Sequence, residues 1–298
     1  MEAVTPPGVT TQRHTAGWQA YAAMIFGIVC ISTSGIFIKL ASVPGPVAGV
    51  YRVGIAVVVM VVPFALHARH IRWTRRMLLA AAVGGLFFAF DMALWNSALL
   101  STSVANAVLL GNTAPIWVGL GAIVLFHQRL KRQFWWGLAL SLAGAGLIVG
   151  LDLAGAGSAT LGNLLALAAG LFYACYLLVT QRARTRLDAL SYFWLAAVAS
   201  LFTLLSMTAV LHQPLAVPQA ALLPLLGLGI VTHTFGWLSL NYAQGHLPAS
   251  LVAPSLLGQP VIASLLAIPI LGETLSWFQV VGGAIVMAGI FLVHRAHE

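Results

Sequence analysis

Ten apolar runs, each close to the length a helix needs to cross a bilayer, dictate what this chain can become. A hydrocarbon core about 30 Å thick takes about 20 helical residues. The runs fall at 20–40, 47–66, 77–99, 103–126, 134–150, 161–182, 189–211, 222–244, 250–271 and 276–294. Short connections make successive spans antiparallel. With 60% apolar and 7% charged side chains, against about a quarter charged in soluble domains, the sequence predicts an all-α integral membrane protein of ten transmembrane helices. Residues 1–17, with two prolines, two glycines and several threonines, read as a disordered tail, and the first span is too long for a cleaved signal. Cys30 and Cys175 sit inside apolar runs, and no CxxC or His/Cys spacing occurs. Neither a metal nor a cofactor is expected.

A formal charge of +8 would suit nucleic acid only if the basic residues formed one solvated face. Instead they sort by loop. With the N-terminus inside, Arg13, Arg69, Arg72, Arg75, Arg76, Arg129, Lys131, Arg132, Arg182, Arg184, Arg186 and Arg295 all fall on the inner side, while the outer loops at 41–46, 100–102, 151–160, 212–221 and 272–275 hold no Lys or Arg. The positive-inside rule therefore places both termini in the cytoplasm of a cell bounded by this plasma (inner) membrane. The charge records topology, so no nucleic-acid partner is expected; the partners are the lipid bilayer and a small molecule. Oligomeric state is not legible in helix faces that lipid covers equally well.

A shift of 145 residues superposes Asn96 on Asn241, Ala98 on Ala243, Pro115 on Pro260, Gly137 on Gly282 and Gly144 on Gly289. Five spans per half is an odd number, so the second copy enters the membrane upside down. The expectation is two inverted five-helix repeats, 18–150 and 151–298, within one integrated membrane domain. The small residues along spans 5 and 10, Gly137, Ala143, Gly282, Ala288 and Gly289 among them, read as close helix packing without chemistry.

Tyr51-Arg52-Val53-Gly54 opening span 2, the mid-helix Pro115 and Pro260, Leu271-Gly272-Glu273 before span 10 and the repeated glycine spacing together resemble the drug/metabolite transporter superfamily and its ten-helix EamA-type branch. The resemblance covers residues 18–294. It departs after span 4, where Phe126-His127-Gln128 stands in place of the Gly-Glu pair often found there. Membership implies a midplane cavity lined by spans 1–4 and 6–9, and within the family the chain looks most like amino-acid exporters, those for aromatic amino acids included.

The polar residues inside the spans carry the rest. Pro115 and Pro260 donate no N–H, freeing the carbonyls of Gly111 and Leu256, and such breaks survive in lipid only beside protein groups or cavity water. Asn112 and Gln259 lie within a turn of the two prolines. They predict a pair of symmetry-related kinks facing a wet cavity, although packing alone also satisfies proline kinks. Asp91 is the one acid deep in a span, at a cost of about 2.5–3.5 kcal/mol. Arg52, five residues into span 2, is its expected charge partner, in a site for ligand or as a structural pair. Trp95 follows Asp91 by one turn. His233, Trp237 and Asn241 share a face of span 8, and Tyr173, Tyr176 and Thr180 a face of span 6. Trp117 and Trp237 lie inside the aromatic belts. The cavity residues are therefore Asp91, Trp95, Asn112, Trp117, Tyr173, Tyr176, His233, Trp237, Asn241 and Gln259, with Asp91 or His233 as a proton site. Ser32 and Ser34 either line span 1 or bond back to it. Ser276 and Gln279 fit a capping box.

These features suit a secondary transporter of small amphiphilic metabolites, amino acids above all, with export favoured. A lipophilic-cation or multidrug exporter would keep the aromatic cage but need an uncompensated acid. A nucleotide-sugar or phosphorylated-metabolite carrier would need several buried Lys or Arg. A membrane enzyme would need a catalytic constellation, and the spans hold neither HExxH nor a Ser/His/Asp set.

Overall fold

The computed structural model describes residues 17–102, 104–149, 160–272 and 274–297. Every apolar run becomes a helical rod: α1 (Trp18–Ser32) and α2 (Ser34–Ala41) form the first, followed by α3 (Gly45–Ala68), α4 (Arg75–Ser101), the pair α5 (Val104–Gly111) and α6 (Ala114–Phe126), and α7 (Arg132–Val149). The second half repeats this with α8 (Thr160–Ala183), α9 (Ala189–Val210), α10 (Gln219–Gly227) continuing through a π-helix (Leu228–Trp237) into α11 (Leu238–Gln244), then α12 (Ala249–Ser255), a 3-10 turn (Leu256–Gly258), α13 (Gln259–Leu271) and α14 (Trp277–His297). Among the described residues nine rods are long and apolar enough to cross a membrane. The tenth, α7, falls short of that measure because its 18 residues begin with Arg132 and Gln133. The expected tail at 1–16, most of the loop at 151–160 and Glu273 lie outside the described residues.

Capping chemistry fixes the helix ends. Thr74 accepts the amide of Met77 at 3.3 Å to start α4, and Asp188 accepts that of Ser191 at 2.9 Å to start α9. The capping box read from sequence is formed, with the Ser276 amide donating to Gln279 Oε1 at 2.8 Å and the Gln279 amide to Ser276 Oγ at 3.2 Å. Partial burial opposes ionisation of Asp188, but the hydrogen bonds from Ser191 and the contact with His67 outweigh it and hold its carboxyl below the usual carboxylate range.

Helices of the first half pack mainly on those of the second, in pairs that exchange under the repeat. The first rod lies on the π-helix and α11 as α8 lies on α4, while α3 packs on α9 and α7 on α14. The α7–α14 seam makes the symmetry explicit. A Cβ on Gly137 would meet Gly289 O at 2.7 Å and one on Gly289 would meet Gly137 O at 2.6 Å; two turns along, Gly144 and Gly282 stand in the same reciprocal relation at 2.7 and 2.8 Å. Residue numbers rise on one helix as they fall on the other, the register of an antiparallel pair about a two-fold axis lying across the helices. Ser141 Oγ donates to Val286 O within this seam at 3.4 Å. The backbone keeps the repeat even where the sequence drifts: α6 and α13 both end on a left-handed residue, His127 at φ 54° and Gly272 at φ 68°. His127 adopts there a conformation that glycine takes without steric cost.

Two outcomes test this scaffold. Gly289→Val forces side chain into the backbone of α7 and lowers stability by about 1–3 kcal/mol in thermal unfolding of the purified chain, with no comparable loss for the same change at Gly35, where a Cβ meets nothing. Because the carboxyl of Asp188 is depressed, its stabilising charge is present above the ordinary carboxylate value of about 3.9. It is lost as pH falls through the lowered value. The stability margin of wild type over Asp188→Asn, measured against pH, closes below about pH 4.

Candidate functional site

The broken helices come first, because they decide which polar groups reach the interior. Span 4 breaks at Asn112 and Thr113, and span 9 at the repeat-related Leu256–Gly258, each just before its proline. At the first break Thr113 bonds back to Leu110 O, through its backbone N–H at 3.1 Å and its hydroxyl at 2.6 Å, and Trp95 of α4 lies against Gly111 beside it. Pro115 is buried, whereas Asn112, Gln259 and Pro260 are half-buried, and the side-chain amides of Asn112 and Gln259 have no hydrogen-bond partner among the described residues. Span 1 is also broken, at Thr33, whose hydroxyl bonds Cys30 O at 2.6 Å and Thr232 Oγ1 of the π-helix at 2.9 Å. The π-helix carries its own brace, Thr234 Oγ1 to Gly229 O at 2.9 Å. Ser32 bonds back to Ile28 O at 2.7 Å.

Between these breaks the two halves bring a cluster of rings and amides together. Phe88 of α4 is its hub, 5.0 Å from Tyr176, 4.8 Å and edge-on to Trp237, and 5.5 Å from His233. Trp237 also meets Tyr176 at 5.3 Å and Tyr173 at 5.9 Å, both close to perpendicular, the arrangement that sets a ring edge on a ring face. Tyr176 donates its hydroxyl to Asn241 Oδ1 at 3.1 Å. A cavity of about 10 Å³ lined by Phe88, Tyr176, Phe193, Ser200, His233 and Trp237 lies within the cluster, room for about one water. Around it polar atoms go unmet: His233 Nδ1, Trp237 Nε1, Asn241 Nδ2 and Arg52 Nε are all buried without a partner. Trp117 Nε1 on α6 is in the same condition.

Arg52 and Asp91 lie within each other's electrostatic reach, and Tyr173 and Tyr176 lie within that of Arg52. The contact ion pair expected between them is nonetheless absent among the described residues. The reason is the break in span 1: it starts α2 at Ser34, and Arg52 Nη1 donates to that hydroxyl at 3.4 Å instead. Asp91 is half-buried and accepts no hydrogen bond among the described residues. The site thus holds a guanidinium and a carboxyl group that share a space without contact, beside a wall of aromatic edges.

Of the residues singled out from sequence, Asp91, Tyr173, Tyr176, His233, Trp237 and Asn241 gather with Arg52. Trp95, Asn112, Trp117, Gln259 and the two prolines sit at or near the helix breaks and do not line the small cavity. Phe88, Phe193, Thr33 and Thr232 escaped the sequence reading. Phe88 precedes Asp91 by three residues on the same helical face, and Ser32-Thr33-Ser34-Gly35 marks the first break, so both had a trace in the sequence.

Two inverted five-helix units spanning lipid, with helices broken near a seam of unmet polar groups, define a membrane transporter. The chain belongs to the EamA-like transporter family, whose model matches residues 18–150 and again 160–295, one match per repeat. It is 27% identical over 295 residues to an uncharacterized transporter of Archaeoglobus fulgidus, covering 92% of this chain and 96% of that one. A probable terminal-alkyne amino-acid exporter of Streptantibioticus cattleyicolor is 27% identical over 74% of each chain. A probable amino-acid metabolite efflux pump of Salmonella typhimurium is 29% identical over 59% of this chain and 62% of its own. A crystal structure superposes with a TM-score of 0.78 over 94% of this chain and 99% of that one, at 20% identity, which shows a shared fold.

Tyr176→Phe tests the packing of this cluster. It leaves Asn241 Oδ1 buried beside an amide nitrogen that already lacks a partner, and the expected loss is about 1–3 kcal/mol in thermal unfolding of the purified protein.

Proposed function

We propose that this chain is a secondary carrier for small zwitterionic amphiphiles, amino acids in particular, exporting them across the plasma membrane by alternating access, with both termini in the cytoplasm. The observation that carries the reading is Arg52 facing Asp91 without an ion pair between them. A guanidinium within a membrane-spanning helix, held by one long hydrogen bond, suits a carboxylate, to which arginine presents two parallel N–H groups. A carboxylate within reach, with no bond of its own, suits an ammonium, and the edges and faces of Tyr173 and Trp237 suit an apolar side chain. A zwitterion meets both charges at once, and the names of two relatives as amino-acid exporter and amino-acid metabolite efflux pump support that chemistry. The central cavity is far too small for such a ligand, so binding requires the inverted halves to rock apart around the cluster. Asp91, half-buried, is better placed than the sealed His233 to exchange a proton with either side.

The same missing ion pair favours a second reading, a lipophilic-cation exporter, in which Asp91 alone recognises the substrate and Arg52 is a structural residue. Counterflow in liposomes separates the two. For the zwitterion carrier, Asp91→Asn and Arg52→Ala each lower exchange of neutral amino acids by about tenfold or more, the cost of an unmet charged hydrogen bond. Cation exchange that survives Arg52→Ala and fails with Asp91→Asn replaces the first reading by the second. Unchanged exchange in both folded variants refutes both.

A further inference from the structure

A second cavity, about 200 Å³, opens at the arginine-rich end of the bundle, where the first turn of α4 meets the last turn of α8. Arg76 comes from α4, Arg182 from α8 and Arg186 from the turn that follows it; Met77, Ala80, Ala183 and Leu187 complete the lining, which contains no acid. The three guanidinium groups are exposed and have no hydrogen-bond or ion-pair partner among the described residues. Their neighbours behave differently. Arg184 turns inward, donating through Nε to Asn241 O at 2.7 Å and through Nη1 to Leu187 O. Asp188, the nearest acid in sequence, is occupied by the Ser191 amide at 2.9 Å and by His67 at 3.2 Å.

A topology signal requires arginines on this face, but it does not require three of them to converge, unpaired, on one cavity from helices of opposite halves. Like charges held together this way call for an anion, and guanidinium forks match phosphate oxygens in geometry as well as charge. The start of α4, where the N–H groups of Arg75 and Arg76 precede the first bonds to Thr74, adds the positive end of a 27-residue helix to the same place. The apolar side of the cavity names the rest of the molecule. Along the face of α4 that carries Arg76, the next turns bear Leu79, 63% exposed, and Val83, 38% exposed, apolar side chains on the outer surface of the bundle. We infer that this cavity binds the headgroup phosphate of an acidic phospholipid, whose tails run along Leu79 and Val83 and which bridges α4 to α8 across the seam between halves.

The test is lipid binding to the purified full-length chain, read by native mass spectrometry and by thermal stabilisation on titrating phosphatidylglycerol or phosphatidylcholine into detergent micelles. Wild type retains the acidic lipid roughly tenfold more tightly than the neutral one. The variant R76Q/R182Q/R186Q loses that preference. The variant R76K/R182K/R186K, which keeps every charge and the topology bias, weakens it for want of the bidentate fork, and serves if the glutamine variant fails to fold. The variant R69Q/R72Q/R129Q, which removes as much charge from the same face outside the cavity, leaves it intact. Equal loss in that control overturns the site, as does an absence of preference in wild type. Inorganic phosphate binding as tightly as the lipid overturns the lipid assignment, since the tails would then contribute nothing.

Discussion

Lipid offers no hydrogen bonds, and every feature of this molecule follows from how its polar groups meet that shortage. Near each break a hydroxyl bonds back to a backbone carbonyl: Thr33 to Cys30 O, Thr113 to Leu110 O, and Thr234 to Gly229 O in the π-helix. In span 9 Ser255 does the same for Leu251 at 2.8 Å and also meets His294 Nε2 of α14 at 2.8 Å. Of the seven buried side-chain atoms left unmet among the described residues, four belong to the central cluster, at Arg52, His233, Trp237 and Asn241, and the others to Trp117, Ser191 and Gln244. Each such group costs about 1–3 kcal/mol, and the four in the central cluster sit where a ligand or a change of conformation can satisfy them.

The inverted repeat divides the labour. At the periphery α7 and α14 meet backbone to backbone over reciprocal glycines, a contact with no slack for sliding. At the centre Phe88 meets the rings of Tyr176, His233 and Trp237, the hydroxyls of Thr33 and Thr232 bond each other and Ser200 donates to Gly85 O across the halves, around a cavity that holds about one water. Aromatic edges part and re-form with little directional penalty, whereas interlocked glycines do not. The seam of small residues thus suits a pivot and the aromatic cluster a closure, which is the mechanical arrangement a carrier needs.

Much of this was legible in the sequence. The ten apolar runs gave the rods to within a few residues, the offset of 145 gave the repeat, and Ser276 with Gln279 announced the start of α14. Asp91, Tyr176, Trp237 and Asn241 stood out because each is costly in lipid and each shares a face with another. The contact pairing of Arg52 with Asp91 was not legible correctly, because helix spacing cannot show that span 1 breaks at Thr33 and offers Ser34 in place of the carboxylate. Nor does periodicity distinguish a π-helix from an α-helix, so the partnership of Thr232 with Thr33, which depends on that local unwinding, left no pattern to read. Asn112 and Gln259 drew attention as neighbours of proline, but the backbone needed Thr113 and a 3-10 turn instead.

On the proposed function, the guanidinium of Arg52 and the carboxyl of Asp91, close but unpaired, await a ligand carrying both complements. Equilibrium binding to the unmodified protein tests it most directly, comparing one aromatic amino acid with its methyl ester, which keeps only the ammonium, and its deaminated acid, which keeps only the carboxylate. The zwitterion should bind at least about tenfold more tightly than either, a difference of about 1.4 kcal/mol. An ester that binds as tightly as the amino acid would contradict the account.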